Sequence, residues 1–358
     1  MGAMIVNVKI TFGMIVLNGE PFLRYNLRSL YAFAHQIIVV EGACPSAATV
    51  ATADGHSMDG TLEVLQDFKL REDPENKVVI VSASDEAYTS GFWPEKSEMS
   101  YAYAKRATGN YLWQVDSDEF YHEEQTKQLI SILEKQKPDA VSFPSITFWG
   151  GVDYITDSFY LIRDNAREFH RLFAWGPGYV YTTHFVPTVV DERGVDLRRK
   201  TWLRARDLEK RNIFLHHYSL LFPQQVLNKV KYYKVRNRSA IDLWEQSVYR
   251  GLARPFRVHN VYVHISWLER FTGEHPGAIQ AMMQDIKEKR IRIKLRDCQD
   301  VERLLSRRSY VLAVIILRAS ARVMARQPFN FLYRACASVG YKLKGFFRRT
   351  PIQVDLDI

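Results

Sequence analysis

The run Tyr111-Leu112-Trp113-Gln114-Val115 stops abruptly at Asp116-Ser117-Asp118-Glu119. A short, mostly apolar stretch followed by carboxylates reads as a buried strand with an acidic tip. Such a strand has no polar side to offer water, so it belongs in a sheet covered on both faces. Upstream, Gln36-Ile37-Ile38-Val39-Val40 repeats the pattern and stops at Glu41. Strand and helix patterns alternate over roughly the first 145 residues, the signature of a parallel sheet in an α/β fold. The spacing predicts strands over 5–17, 36–41, 78–82, 111–115 and 140–143. Helices are expected over 21–33, 59–68, 96–108 and 123–135.

The pattern then changes. From Ser145 to about His217 short β-type runs carry many aromatics, with turn signals at Gly150-Gly151 and Gly176-Pro177-Gly178. This reads as an antiparallel extension that builds a pocket, or equally as the aromatic core of a small sheet. Helical spacing returns over 222–237 and 240–249. Tyr310 to Leu317 is apolar, and Arg318, Arg322 and Arg326 follow at intervals of four. Beyond Pro328, aromatics alternate with Arg334, Lys342 and Lys344 as far as Phe347. That is a basic amphipathic segment of the type that lies in a membrane interface; an ordinary helix pair packed on the domain is the alternative.

Composition narrows the classes. The chain has 358 residues, is 47% hydrophobic and carries a formal charge of +9. It is long enough for a large core and too apolar for a disordered chain. The positive balance points to anionic partners. Cys44, Cys298 and Cys336 are far apart, with neither metal-ligand spacing nor a disulfide framework, which fits a reducing compartment. Met1 to Asn18 lacks a basic start and a small-residue cleavage site, so it reads as a first strand rather than a signal peptide. No stretch reaches the ~20 apolar residues of a spanning helix.

The acidic tip carries the chemistry. Open α/β sheets bind ligands at the C-terminal ends of their strands. Asp116 and Asp118 are two apart, on one face of an extended backbone. Carboxylates that close repel unless a cation lies between them, and oxygen-rich sites suit Mg²⁺ or Mn²⁺. Ser57-Met58-Asp59-Gly60-Thr61 opens a helix after the second strand and its loop, with Asp59 at the capping position.

Taken in order, Asn18-Gly19-Glu20 after the opening strand, Glu41, this helix start, Lys105-Arg106 before Gly109-Asn110-Tyr111, and the Asp116-Ser117-Asp118-Glu119 tip resemble the family 2 glycosyltransferases of GT-A fold. The resemblance spans roughly residues 10–240. Arg171-Leu172-Phe173 with Gly178 and Thr183-His184, then His216-His217-Tyr218 with Lys229, Tyr232 and Tyr233, resemble enzymes that extend lipopolysaccharide cores and related glycans. Phe185 stands where that pattern often has Glu. Gly273-Glu274-His275-Pro276 resembles a further element of such domains.

The resemblance implies a Rossmann-like mixed sheet with helices on both faces. Residues 1–240 form the transferase domain, divided into a nucleotide-binding half (1–145) and an acceptor half (146–240). A helical extension (241–305) and the basic segment (306–358) follow. It further implies a nucleotide-sugar donor, UDP-linked by preference, and a glycan or lipid-linked acceptor, with inversion at the transferred carbon. Asp118 is expected to hold the metal, Asp116 the ribose or the metal, and Glu41 and Asp59 the base and ribose. Arg106 is expected near the pyrophosphate; solvated or capping roles are the bland readings of Arg106, Glu41 and Asp59.

Residue chemistry adds further expectations. A neutral imidazole can ligate metal, so His217 joins Asp118 and Asp116 as a candidate ligand. On a strand His216 and His217 point to opposite faces, so only one reaches the site. His184 and Trp149 are expected on the acceptor side. The acceptor proton needs a base; Asp153, Asp157, Glu168 and Asp191 are candidates, with Glu168 favoured by its nearness to Arg171, and Asp116 contributes to catalysis from the tip.

Two rivals remain. A nucleotidyltransferase also uses strand-tip acids and metal, but Leu17-Asn18-Gly19-Glu20 is neither glycine-rich nor basic. A non-enzymatic basic module on RNA or lipid leaves the acidic tip unexplained. The basic C-terminus is expected to hold the protein peripherally on the inner, anionic face of the cytoplasmic membrane, where lipid-linked acceptors reside, with no nucleic-acid partner.

Overall fold

The computed structural model describes residues 7–163, 168–233, 242–258 and 265–326. The first half alternates as expected: β1 (Ile10–Val16), α1 (Leu23–Tyr31), β2 (Ala34–Glu41), α2 (Thr61–Arg71), β3 (Val78–Val81), α3 (Lys96–Ala104) and β4 (Tyr111–Gln114). Then come β5 (Glu119–Phe120), α4 (Glu123–Gln136), β6 (Ala140–Trp149), β7 (Tyr154–Ser158), α5 (Phe159–Arg163) and β8 (Glu168–Ala174). The antiparallel ribbon β9 (Val180–Thr183) and β10 (Thr188–Val190) precedes β11 (Trp202–Leu203), α6 (Ala205–Glu209), β12 (Leu215–Leu220) and α7 (Pro223–Tyr233). After a helical turn over Glu245–Arg250 come β13 (Ser266–Arg270), α8 (Gly277–Lys287), α9 (Gln299–Leu305) and α10 (Arg308–Met324).

Among the described residues, eleven strands share one mixed sheet with the central order β13-β7-β6-β8-β4-β1-β2-β3. β1 to β4 pair in parallel, and β8 is inserted antiparallel between β4 and β6. The fold is thus α/β with a mixed sheet and helices on its faces. One face packs Phe12, Met14, Trp113 and Phe143 under Leu23, Leu27 and Leu133 of α1 and α4. The other packs Ile38, Val40 and Leu112 under Met99 and Tyr103 of α3. α3 lies so close that a methyl group on Gly13 would sit 2.4 Å from the Tyr103 ring. α4 shows why a helix starts and stops: Glu123 and Glu124 favour its positive end, and Lys137 takes a left-handed turn just before Pro138.

The chain runs from β1 to β2 and β3 on one side, then returns to β4 on the other. The order therefore reverses between β1 and β4, and their C-terminal ends open a crevice there.

Three expectations change. The boundary expected at residue 145 falls inside β6, which runs unbroken to Trp149 because both of its ends pair with neighbouring strands. The extension expected to be helical contributes β13 to the sheet, where Trp267 and Leu268 are buried along β7. Asp118 lies in a turn rather than on extended backbone, because the Glu119 amide closes back onto the Asp116 carbonyl at 3.0 Å. Ile5, residues 234–241, Cys336 and the aromatic–basic stretch beyond residue 326 lie outside the described residues. Cys44 and Cys298 are free thiols. No described helix is long and apolar enough to cross a membrane.

Candidate functional site

At the switch point lies a cleft of about 240 Å³. Its floor comes from the end of β1 (Val16 to Glu20) and the turn after β4 (Asp116 to Asp118). Gly42 to Cys44 after β2, Lys96 and Met99 of α3, His184, His217, and Gln225, Lys229, Tyr232 and Tyr233 of α7 complete it.

The acidic turn is held from several sides. The Asn26 side-chain amide donates to the carbonyls of Glu119 (2.7 Å) and Asp116 (3.3 Å), tying the turn to α1. The Tyr218 amide donates to the Asp118 carbonyl at 2.9 Å. Arg171 reaches across from β8 and clamps Glu119 through Nε and Nη2 (2.6–3.1 Å), while Nη2 also reaches Asp116 at 3.1 Å. Burial pushes the Glu119 carboxyl up, against the pull of Arg171 and with a further push from Asp116. Glu119 is therefore structural support, whereas Asp116 and Asp118 face the cleft.

Asp118 has a different set of partners. Its Oδ2 accepts from Lys229 Nζ (3.2 Å) and Gln225 Nε2 (3.1 Å), and its Oδ1 lies 3.5 Å from His217 Nε2. Burial raises its pKa, but Lys229 and then His217 outweigh that, so the net shift is strongly downward. Gln225, Lys229 and Tyr232-Tyr233 recur at helical spacing and so share one face of α7. The Lys96 ammonium sits over the rings of Tyr232 and Tyr233, 4.8 and 5.7 Å from their centroids. Two lysines thus face the two aspartates across the cleft.

The test for a metal is the donor set. Among the described residues no group of three or more His, Cys, Asp or Glu converges on one point. Of the expected set Asp116, Asp118 and His217, Asp118 and His217 lie 3.5 Å apart, while the Asp116 carboxylate is paired with Arg171 at 3.1 Å. Asp118 Oδ1 and His217 Nε2, 3.5 Å apart, are an oxygen and a nitrogen donor of the kinds a divalent cation such as Mn²⁺ takes. His217 Nδ1 is buried without a partner. The pair would hold a divalent cation only together with ligands from a bound anion or water.

His184 also lines the cleft, hydrogen-bonded to Ser100 at 2.9 Å. Burial, then the charge of Lys96, lowers its pKa to about 3, so it stays neutral. His216 points to the opposite face as expected, edge-on to His122, and is likewise held neutral by burial near a pKa of 3.

Other candidates lie elsewhere. Both Glu168 oxygens are held by Arg204 (2.8 and 2.7 Å) and the Ala205 amide, outside the cleft, which removes it as the base. Trp149 is completely buried, with Arg296 over its ring at 4.9 Å, and cannot meet an acceptor. Arg106 donates to the Ala102 carbonyl and pairs with Glu86 at 2.5 Å, away from the cleft. Glu41 is buried and accepts from His56 (2.6 Å) and the Ser57 amide (2.8 Å), so it folds the loop after β2 rather than meeting a ligand. Asp59 accepts from the Glu20 and Thr61 amides and the Thr61 hydroxyl, a local turn just ahead of the Gly60 cap that joins this loop to the end of β1. Asp153, Asp157 and Asp191 are not in the cleft wall. Glu274 and His275 brace His122 and Tyr218.

The sequence reading missed Lys96 and Glu20 as cleft residues. Glu20 Oε1 is buried without a partner. Burial, and secondarily Asp59, pushes its carboxyl up to about 7, against the pull of Arg24. The folded state then holds this proton more tightly than the unfolded chain, whose group titrates near 4.5. Stability is unaffected below pH 4.5 and falls as pH rises towards 7. Glu20→Gln should therefore raise Tm more at pH 8 than at pH 5. Thermal melts of both proteins across that range check it, and an equal change at both pH values would refute the burial argument.

No protein-family model matches the sequence. No curated protein matches it either. Solved structures with partial likeness include S. aureus TarS residues 1–349, at 10% identity over 66% of this chain and 65% of that one, TM-score 0.34. The same protein in complex with UDP-GlcNAc aligns at 14% identity over 46% and 45%, TM-score 0.30. Glucosyl-3-phosphoglycerate synthase from Mycobacterium tuberculosis, in complex with Mn²⁺, UDP-glucose and phosphoglyceric acid, aligns at 16% over 40% and 45%, TM-score 0.28. The chain spans less than two thirds of each of these structures.

Proposed function

We propose that the chain is a glycosyltransferase that moves a sugar from a nucleoside diphosphate donor, UDP-linked in keeping with the resembled family, to a glycan or lipid-linked acceptor. The observation that carries this reading is Asp118 at the switch point, set between His217 and Lys229 with Lys96 facing it. Breaking a sugar–diphosphate bond leaves extra negative charge on the departing phosphates. A site for that step needs fixed positive charge aimed where the charge develops.

Lys229 and Lys96 supply that charge from two elements, α7 and α3. Asp118 and His217 would hold a divalent cation, which when bound would supply Lewis-acid stabilisation of the diphosphate. Asp116, held aside by Arg171, is left for the ribose or the acceptor. His184, neutral and tethered to Ser100, offers hydrogen bonding without adding charge. The sugar acceptor enters past His184 and the Tyr232-Tyr233 pair.

A thermal-shift panel of UDP, GDP and CDP with and without Mn²⁺ tests the class. One nucleotide should stabilise the protein only when metal is present, by about 2.7 kcal/mol at a hundred times its Kd. Turnover of the matching nucleotide sugar should follow. No stabilisation by any diphosphate and no sugar release would overturn the reading. Pyrophosphate release from a nucleoside triphosphate with a sugar phosphate would replace it with nucleotidyl transfer.

A further inference from the structure

α10 is apolar on two sides. Its inner side is accounted for: Tyr310, Val314 and Ala321 are buried, and Tyr310 and Val314 pack with Trp267 and Leu304. The Tyr310 hydroxyl accepts from the Leu268 amide at 2.9 Å, and Arg318 pairs with Glu269. The helix is therefore docked on the β13 edge and α5, not loose. Its outer side carries Val311, Leu312, Ile315, Ile316, Val323 and Met324, all between 37% and 58% exposed. At 100° per residue the first five of these fall within an arc of roughly 140°. Solvent faces of docked helices are normally polar, and contiguous exposed apolar surface marks an interaction site.

Arginines close the stripe at both ends of the helix, Arg307 and Arg308 before it and Arg322 and Arg326 at its far end. Arg307, Arg308, Arg322 and Arg326 are exposed, and the helix contains no Asp or Glu. An apolar stripe bordered by arginines without carboxylates is complementary to acyl chains beneath anionic headgroups. A second copy of the same face would bring arginines against arginines. The segment 327–358 has five Lys or Arg against two Asp, so it also shares the sign of the stripe's border. An anionic bilayer alone matches both the apolar and the charged parts. The helix is too short and too charged to cross one.

The geometry points to α10 as an interfacial helix that seats the protein on an anionic lipid surface through Val311, Leu312, Ile315, Ile316 and Val323. Arg308, Arg322 and Arg326 meet the headgroups. The seat is structurally separate from the cleft and does not depend on what the cleft catalyses.

Co-sedimentation of the full chain with phosphatidylcholine vesicles, with and without phosphatidylglycerol, tests the inference. Binding should require the anionic lipid and weaken as salt rises. The variant Leu312→Glu/Ile316→Glu, at two exposed positions, should keep its melting temperature and lose vesicle partitioning by roughly ten-fold or more. Wild-type chain that ignores anionic vesicles overturns the proposal. So does a double variant that binds them as the wild type does, which would assign binding to residues outside α10. A concentration-dependent dimer dissolved by the double variant, without vesicle binding, would instead make the occupant a second copy.

Discussion

Asp118→Asn should leave a folded protein whose sugar-transfer kcat/KM is lower by about a thousand-fold or more. The side chain is nearly isosteric, and Lys229 keeps two other partners, the Ser219 carbonyl (2.9 Å) and hydroxyl (2.6 Å). What disappears is the negative charge between His217 and Lys229. A cation would then have only His217, and Lys229 loses its charged partner while staying tethered to Ser219. The Mn²⁺-dependent part of the nucleotide thermal shift should vanish with it. Wild-type Asp118 has a strongly lowered pKa, so its contribution to stability is present above the ordinary value of 3.8 and is lost as pH falls below it. The variant should therefore unfold less steeply with acid. Activity within ten-fold of wild type, with the metal dependence intact, would sink the assignment.

The parallel half of the fold was legible because its elements are locally consistent. β1 to β4 are short apolar runs, and α1 and α4 place Leu23, Leu27 and Leu30, or Leu129 and Leu133, at helical intervals. Elements decided by distant partners were not. β13 is five residues with a mixed pattern, and only its pairing with β7 makes it a strand. The site divides the same way. Asp116 and Asp118, which line the cleft, were legible from their place at a strand tip; His184 and His217, which also line it, were picked out by the motifs of the resemblance; and the alternation of His216 and His217 followed from strand geometry. Glu41, Asp59, Arg106 and Glu168 carry the right charge, but each is consumed by structural partners, some close in sequence (Thr61 for Asp59, Ala102 for Arg106) and some brought near only by the fold. Arg204 and Glu168, 36 positions apart, are an example. Lys96 was hidden for the converse reason: a lysine opening a helix looks solvated until α7 folds over it. Charge type was readable in the sequence; whether that charge was spent was not.

Arg171→Met should be the most damaging single change outside the lysine–aspartate pairs. It removes the buried cation from Glu119, whose carboxylate is fully enclosed. Breaking a buried pair from one side costs about 3–5 kcal/mol, because the remaining charge stays unpaired in a poorly polarisable setting. With Arg171 gone, the pull that opposes burial of Glu119 is lost, and its pKa rises further above the unfolded value. The folded state then holds the proton more tightly than the unfolded chain, so the cost grows as pH rises from about 5 to 8. Denaturant melts of Arg171→Met across that range should show stability declining with pH more steeply than in the wild type. Adding Glu119→Gln should recover a large part of the loss at pH 8 and little at pH 5. That recovery separates charge burial from simple loss of packing, which would be equal at both. If the double variant is no better than the single at pH 8, Arg171 acts through its volume, and the charge argument for the acidic turn fails. Transfer activity gives an independent reading. Arg171 also holds Asp116 at 3.1 Å, so even the rescued double variant should remain slow, with Asp116 released from the position its partner sets.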